Sequence, residues 1–179
     1  LYSGTRSHDN AILYYKRSIN ILREDTDSVS LGSVLFNLGD EYLKIERHDT
    51  ALQYLEESGG IFQRIDYPLG VAYNQGNMGV AYLGLKRYEA AEQNLVEAID
   101  QLEAFEDYYA ISAYLISLAK VYRARGQINN AIFTAERSLG LAREYGLKQE
   151  ISDASRLLAD LYEQRGDTDR ALGHYKEYI

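Results

Sequence analysis

At 179 residues, 46% hydrophobic and 26% charged, the chain has the composition of a folded protein, and its single proline permits long uninterrupted helices. Nineteen Lys and Arg against 27 Asp and Glu give a net charge of −8. The basic residues are not clustered, so a nucleic-acid backbone is excluded as a partner, and no apolar stretch approaches the ~20 residues that span a bilayer. Cysteine is absent, which removes disulfides and thiolate metal sites and points to a cytoplasmic address.

Along the chain the governing feature is a repeat of 40 residues. That shift superimposes Tyr2, Tyr42, Tyr82, Tyr122 and Tyr162, and likewise Ala11, Ala51, Ala91, Ala131 and Ala171. Leu38, Met78, Leu118 and Leu158 fall on one station, with Gly39, Gly79, Ala119 and Ala159 beside them. Apolar residues recur at spacings of three and four on both sides of each polar break, as in Leu35, Leu38, Tyr42 and Ile45 followed by Ala51, Leu52 and Leu55. Each repeat therefore reads as two antiparallel helices of about 17 residues.

Residues 1–25 are expected to supply the end of one hairpin, a turn holding His8-Asp9, and all of the second helix. Units then follow at 26–66, 67–106, 107–146 and 147–179. Within each unit a short break separates the helices, at Glu46-Arg47-His48-Asp49, Lys86-Arg87-Tyr88-Glu89, Arg125-Gly126-Gln127 and Arg165-Gly166-Asp167. Gly126 and Gly166 suit a left-handed helix end, and Asp49, Asn129 and Asp167 are predicted to cap the helices that follow. Longer connections between units are expected near 25–27, 66–68, 106–107 and 144–146, with Pro68 opening a helix. The small residues at 39, 79, 119 and 159, and the alanines at 51, 91, 131 and 171, let paired helices approach closely. Gly59-Gly60 stands where later repeats read Ile99-Asp100 and Leu139-Gly140, as either a hinge or a close crossing. Neither end carries a polar cap and the chain opens at Leu1, so further repeats or another domain are expected beyond it.

The order of a large aliphatic residue, a small one, a tyrosine three positions on and an alanine nine later resembles the tetratricopeptide repeat. It is met at Leu38-Gly39-Tyr42-Ala51, Met78-Gly79-Tyr82-Ala91, Leu118-Ala119-Tyr122-Ala131 and Leu158-Ala159-Tyr162-Ala171. The unit is longer than the family's usual 34 residues. It is similar to the long-helix branch of kinesin light chains, G-protein-signalling-modulator adaptors and peptide-responsive regulators of bacilli. The aromatic often found at the first large position is replaced by Leu35, Gln75, Leu115 and Ser155. The resemblance implies an all-α fold, a right-handed α-α superhelix of helix hairpins whose first helices line a concave groove.

By that resemblance Asn37 and Asn77 would hydrogen-bond the main chain of an extended peptide, with Ser117 at the same station. Pairing of the asparagines with a neighbouring helix is the alternative. On the peptide reading, replacing both with alanine leaves the fold intact and weakens binding. Phe36, Asp40, Tyr73, Val80, Leu83 and Ile116 are the other groove positions expected in the first two-thirds of the array. Lys120, Arg123 and Arg156 form a basic strip able to meet acidic residues of a ligand, or Arg156 simply pairs with Asp160.

Nothing in the sequence converges toward catalysis, and no cofactor or metal is expected: there is no phosphate-binding glycine loop, nucleophile elbow or zinc-protease helix. His8-Asp9 and His48-Asp49 are explained by the repeat rather than by a metal pair. Two functions are compatible with these features. One is a scaffold that binds a protein or peptide segment in its groove; the other is a regulatory or self-associating region of a larger signalling protein, such as a kinase or nucleotide cyclase.

Overall fold

The computed structural model describes residues 2–178, with side chains from residue 7 onward. Among these residues there are nine helices and no strand. They are α1 (Tyr2–Leu22), α2 (Ser28–Lys44), α3 (His48–Arg64), α4 (Pro68–Gly84), α5 (Tyr88–Glu103), α6 (Tyr108–Ala124), α7 (Ile128–Glu144), α8 (Lys148–Arg165) and α9 (Thr168–Tyr178). α2, α4, α6 and α8 begin at intervals of 40 residues, so the sequence repeat is also the repeat of the backbone. Each helix packs on the next one in the chain, and α2, α4, α6 and α8 also touch in succession. The backbones of α3, α5 and α7 do not approach one another, so the first helices form the inner layer of an α-α superhelix and the second helices splay outside.

One device ends α2 to α8. Seven residues at intervals of 20 take positive φ: Glu46 (58°), Asp66 (52°), Lys86 (59°), Glu106 (54°), Gly126 (75°), Gly146 (66°) and Gly166 (82°). At each, the following N–H bonds back to the carbonyl five residues earlier, as Arg47 does to Tyr42 and Gln127 to Tyr122, both at 2.9 Å. The left-handed residue's own N–H bonds three residues back, as Glu46 does to Leu43 at 3.0 Å. These paired bonds satisfy the last carbonyls of the helix and reverse the chain at once. The residue after the stop is already the cap of the next helix, so the connections near 66–68, 106–107 and 144–146 are nearly as short as those within units, contrary to the sequence expectation, whereas the link from α1 to α2, residues 23–27, is the longer connection expected there.

Three details of the chain ends and caps also depart from expectation. α1 continues unbroken from Tyr2, so His8 lies inside a helix rather than in a turn, while His48 opens α3. The side chain of Tyr2 lies outside the described residues. Asp49 and Asn129 fall within the first turns of their helices, two residues past the capping position; Asp167 does cap α9, accepting from the Arg170 N–H at 3.3 Å. Asp27 and Asp107, whose carboxylates accept from the N–H groups of Ser30 and Ala110, cap α2 and α6.

Packing explains the repeated small and aromatic stations. A methyl at Gly39 would stand 2.8 Å from the Leu55 side chain, and one at Gly79 2.6 Å from Leu95. In the third repeat the same pair of stations reads Ala119 and Ala135, both fully buried, so volume is exchanged between facing helices. The recurring tyrosine ties hairpins together. Tyr42 stacks on Tyr54 of α3, ring centroids 5.6 Å apart, beneath the ammonium of Lys16 on α1. Tyr162 stacks on His174 of α9 while its hydroxyl donates to Glu136 of α7. Gln75 and Ser155 replace the first large residue without being left unsatisfied, because each bonds a carboxylate 22 residues on, Glu97 at 2.9 Å and Glu177 at 2.9 Å. α3 runs uninterrupted through Gly59 and Gly60. A methyl at Gly60 would meet nothing within 4 Å, so no close crossing requires that glycine.

The four non-glycine stops carry backbone strain that glycine avoids. Lys86→Gly is expected to raise stability by about 1 kcal/mol, and Gly126→Ala to lower it by about as much. Urea midpoints of the two variants, moving in opposite directions, check this.

Candidate binding surface on the inner helices

The inner layer brings part of the predicted groove together and draws part of it into the core. On α2 and α4 the rings of Phe36 and Tyr73 meet with centroids 6.0 Å apart. Tyr73 also donates its hydroxyl to Asp107, the cap of α6, and burial together with that carboxylate holds the phenol well above its ordinary pKa. Val80 and Leu83 are half-buried against the α4–α6 core, whereas Ile116 is buried and offers the groove little. Ser117 turns its hydroxyl back to the Ala113 carbonyl of its own helix at 3.3 Å.

The two asparagines differ. Asn37 is exposed on α2. Asn77 is buried, and its carboxamide is engaged on both sides: Nδ2 donates to Asp40 Oδ1 at 3.4 Å, and Oδ1 accepts from the Tyr114 hydroxyl at 3.0 Å. Tyr114 reaches that position because Gly76 leaves room for its ring, with which any Cβ at residue 76 would collide. An Asp40–Asn77–Tyr114 chain thus links α2, α4 and α6, each member 37 residues from the last. Burial keeps the Tyr114 phenol strongly protonated, so it acts as a fixed donor. Asp40 is further held by Lys44 at 2.8 Å.

Toward the C-terminal end the surface becomes ionic. Lys120, Arg123, Asp153, Arg156, Leu157 and Asp160 line a cleft of about 280 Å³ between α6 and α8. A wider hollow of about 720 Å³ shares Lys120, Arg123 and Asp160 and extends over Ala124, Glu163 and Gln164. Arg123 meets Asp160 at 3.4 Å, so Arg156 does not take that partner; it stands 3.9 Å from Asp153, with its guanidinium 5.9 Å from the Tyr178 ring. Lys120 therefore faces carboxylates that other cations already hold. One flank of Lys120 is exposed, yet desolvation in the cleft lowers its pKa below the ordinary lysine value; Asp153 opposes the shift and Arg156 adds to it. Positive charges and loosely held carboxylates in a hollow of this size can exchange partners with a charged segment. The roles of Tyr114, Gly76 and Asp107 are invisible to periodicity, although the 37-residue spacing of Asp40, Asn77 and Tyr114 is a signal available in the sequence.

Among the described residues no group of three His, Asp or Glu side chains could hold a metal ion. His8 bonds Glu41 at 2.7 Å, and the His48 ring packs against Gly84. No described helix is long and apolar enough to cross a membrane.

This architecture agrees with comparisons to known proteins. Tetratricopeptide-repeat family models match residues 32–58, 69–144 and 154–179, which together are most of the chain. The chain belongs to the tetratricopeptide-repeat proteins. Among solved structures it is similar to BtubC from P. vanneervenii, at 19% identity and a TM-score of 0.81, over 96% of this chain and 72% of that one. A Rap protein complexed with competence and sporulation factor matches at 18% identity and a TM-score of 0.89, over 98% of this chain and 49% of the other. A kinesin-light-chain type protein of nearly identical TPR-like repeats from Podosopora anserina matches at 16% and 0.75, over 99% and 87%. The chain thus spans about half the length of the Rap protein. No curated protein matches it by sequence.

Because Asn77 is built into the fold, the two asparagines should separate in mutagenesis. Asn77→Ala removes one of two acceptors from the Tyr114 hydroxyl, which also reaches the Tyr73 carbonyl at 3.2 Å, and one donor from Asp40, and is expected to lower stability by about 1–2 kcal/mol, while Asn37→Ala changes it by less than about 0.5 kcal/mol. Denaturant unfolding of the two single variants checks the difference and replaces the expectation that both could be removed without effect on the fold.

Proposed function

We propose that the chain is a protein-interaction scaffold whose inner face holds an extended segment of another polypeptide, rather than an enzyme. The observation that carries this reading is the α6–α8 cleft: a hollow on the inner layer where Lys120, Arg123 and Arg156 face carboxylates at 3.4–3.9 Å or none at close range. Acidic side chains of a bound segment would take up these cations in exchange for Asp153 and Asp160, and a partly desolvated ammonium gains most from such a replacement. Toward α2 and α4 the face becomes more apolar, with Phe36, Tyr73, Val80 and Leu83 available to cover side chains of the same segment. The likeness to a Rap protein complexed with competence and sporulation factor, and to the Rap conjugation gene regulator of plasmid pLS20 in complex with the Phr* peptide, supports a peptide as the occupant, through fold alone. Apart from Lys120, the titratable groups of the inner face named above are paired or capping and serve position, so recognition rather than proton transfer is what they suit.

Peptide display against the intact array tests the proposal. Selected segments are expected to carry acidic residues, and the double variant Lys120→Ala, Arg123→Ala is expected to weaken a selected segment by about 1–3 kcal/mol while thermal unfolding is unchanged. Full affinity in the double variant would remove the cleft from the reading.

A further inference from the structure

The two rims of the superhelix differ in charge and in aromatic content. Turns inside hairpins carry Arg47, Lys86, Arg87, Arg125 and Arg165 at or beside the stop, with Glu46 and Asp167 among them, whereas turns between hairpins carry Asp25, Asp27, Asp66, Glu106, Asp107 and Glu144, with Arg64 and Arg143 in the helix turns before them. The second, acidic rim also exposes Tyr67, Phe105, Tyr109 and Tyr145, between 40% and 60% accessible. Exposed rings beside carboxylates are unusual as mere surface, because each ring leaves apolar area in water that burial elsewhere would recover.

One stretch of this rim is hollow. Phe62, Asp66, Tyr67, Pro68, Val71 and Gln101 line a cavity of about 230 Å³ where α3 passes into α4. The rings of Phe62 and Tyr67 meet edge to face, centroids 5.2 Å apart at 72°. They lie against α4 because residue 70 is glycine: a methyl there would stand 2.6 Å from each ring. The same station is Ser30, Ala110 and Glu150 in the other repeats, so the hollow belongs to this repeat alone among the four. Asp66 stands at the lip, exposed, on the left-handed stop. The far wall is held in place by Gln101, which donates to Gln75 at 2.6 Å, and Gln75 in turn donates to Glu97.

We infer that this hollow takes an arginine side chain from a basic segment of a partner protein, laid along the acidic rim and apart from the inner groove. A guanidinium is planar and weakly hydrated, so it stacks on the Tyr67 ring while its methylenes cover Pro68 and Val71. Its fork meets the Asp66 carboxylate, which no intramolecular ion pair occupies among the described residues. Neighbouring cations of the segment face the further carboxylates of the rim, such as Glu106. The chain's net charge of −8 favours the approach of such a segment. Lysine, a hydrated point charge, gains less from the ring.

Fluorescence anisotropy of the intact chain with labelled dodecamers tests the inference, using peptides that alternate serine with arginine, lysine or glutamate. The arginine peptide is expected to bind about tenfold tighter than the lysine peptide, with no measurable binding of the glutamate one. Tyr67→Ser is expected to weaken the arginine peptide about tenfold. Asp66→Gly is expected to weaken it about fivefold although glycine relieves the left-handed backbone, so loss of folding cannot be the cause. Arg123→Gln, in the inner cleft, should leave this affinity unchanged, which separates the rim from the proposed groove. Equal binding of the arginine and lysine peptides, or full affinity in Tyr67→Ser, would overturn the pocket.

Discussion

Between α2 and α8 every helix ends on the same backbone event, a single residue in the left-handed region whose two hydrogen bonds close the helix and turn the chain. The event recurs every 20 residues, half the sequence repeat, and so cuts the chain into helices of nearly equal length. Equal helices with short connections can only lie antiparallel and stack, and stacking is what places α2, α4, α6 and α8 side by side. Three of the seven stops use glycine and four accept strain instead. The strained residues, Glu46, Asp66, Lys86 and Glu106, are all charged and exposed, so the positions that cost conformational energy also place charge on the rims.

Once the helices are fixed in length, small residues decide how closely they lie, and closeness decides what the inner face can present. Gly76 admits the Tyr114 ring, Tyr114 holds Asn77, and Asn77 reaches Asp40, so three inner helices are joined by one polar chain. That chain makes the N-terminal part of the inner face fixed and largely satisfied. Beyond it, from Lys120 to Arg156, charges are paired at longer distances around an open cleft. Rigid scaffold and exchangeable surface thus occupy successive parts of one layer.

The 40-residue repeat and the hairpins were legible in the sequence because each rests on many stations repeating together, and the inner position of the first helices followed from the resemblance to the tetratricopeptide repeat. The stops at 46, 66, 86 and 106 were less so, since left-handed geometry is signalled by glycine and these positions hold Glu, Asp, Lys and Glu. α1 was misread for a related reason: His8-Asp9 copies His48-Asp49 in sequence, yet the helix runs through it. Asn37 and Asn77 look equivalent in one dimension. They diverge in three because Tyr114, a neighbour of Asn77, has no counterpart beside Asn37: the residue 40 positions before Tyr114 is Asn74, which turns its amide to Ser58 and Gly70 instead. The hollow between α3 and α4 depends on Gly70 acting together with two rings, a combination that no single-residue pattern displays.

If the inner layer is the binding face, its own backbone should register an occupant. Hydrogen exchange of the intact chain, alone and saturated with a display-selected segment, measures this helix by helix. Slowed exchange in α6 and α8, with α3, α5 and α7 unchanged, is the predicted result. Protection confined to the outer helices, with none in α6 or α8, would contradict the account.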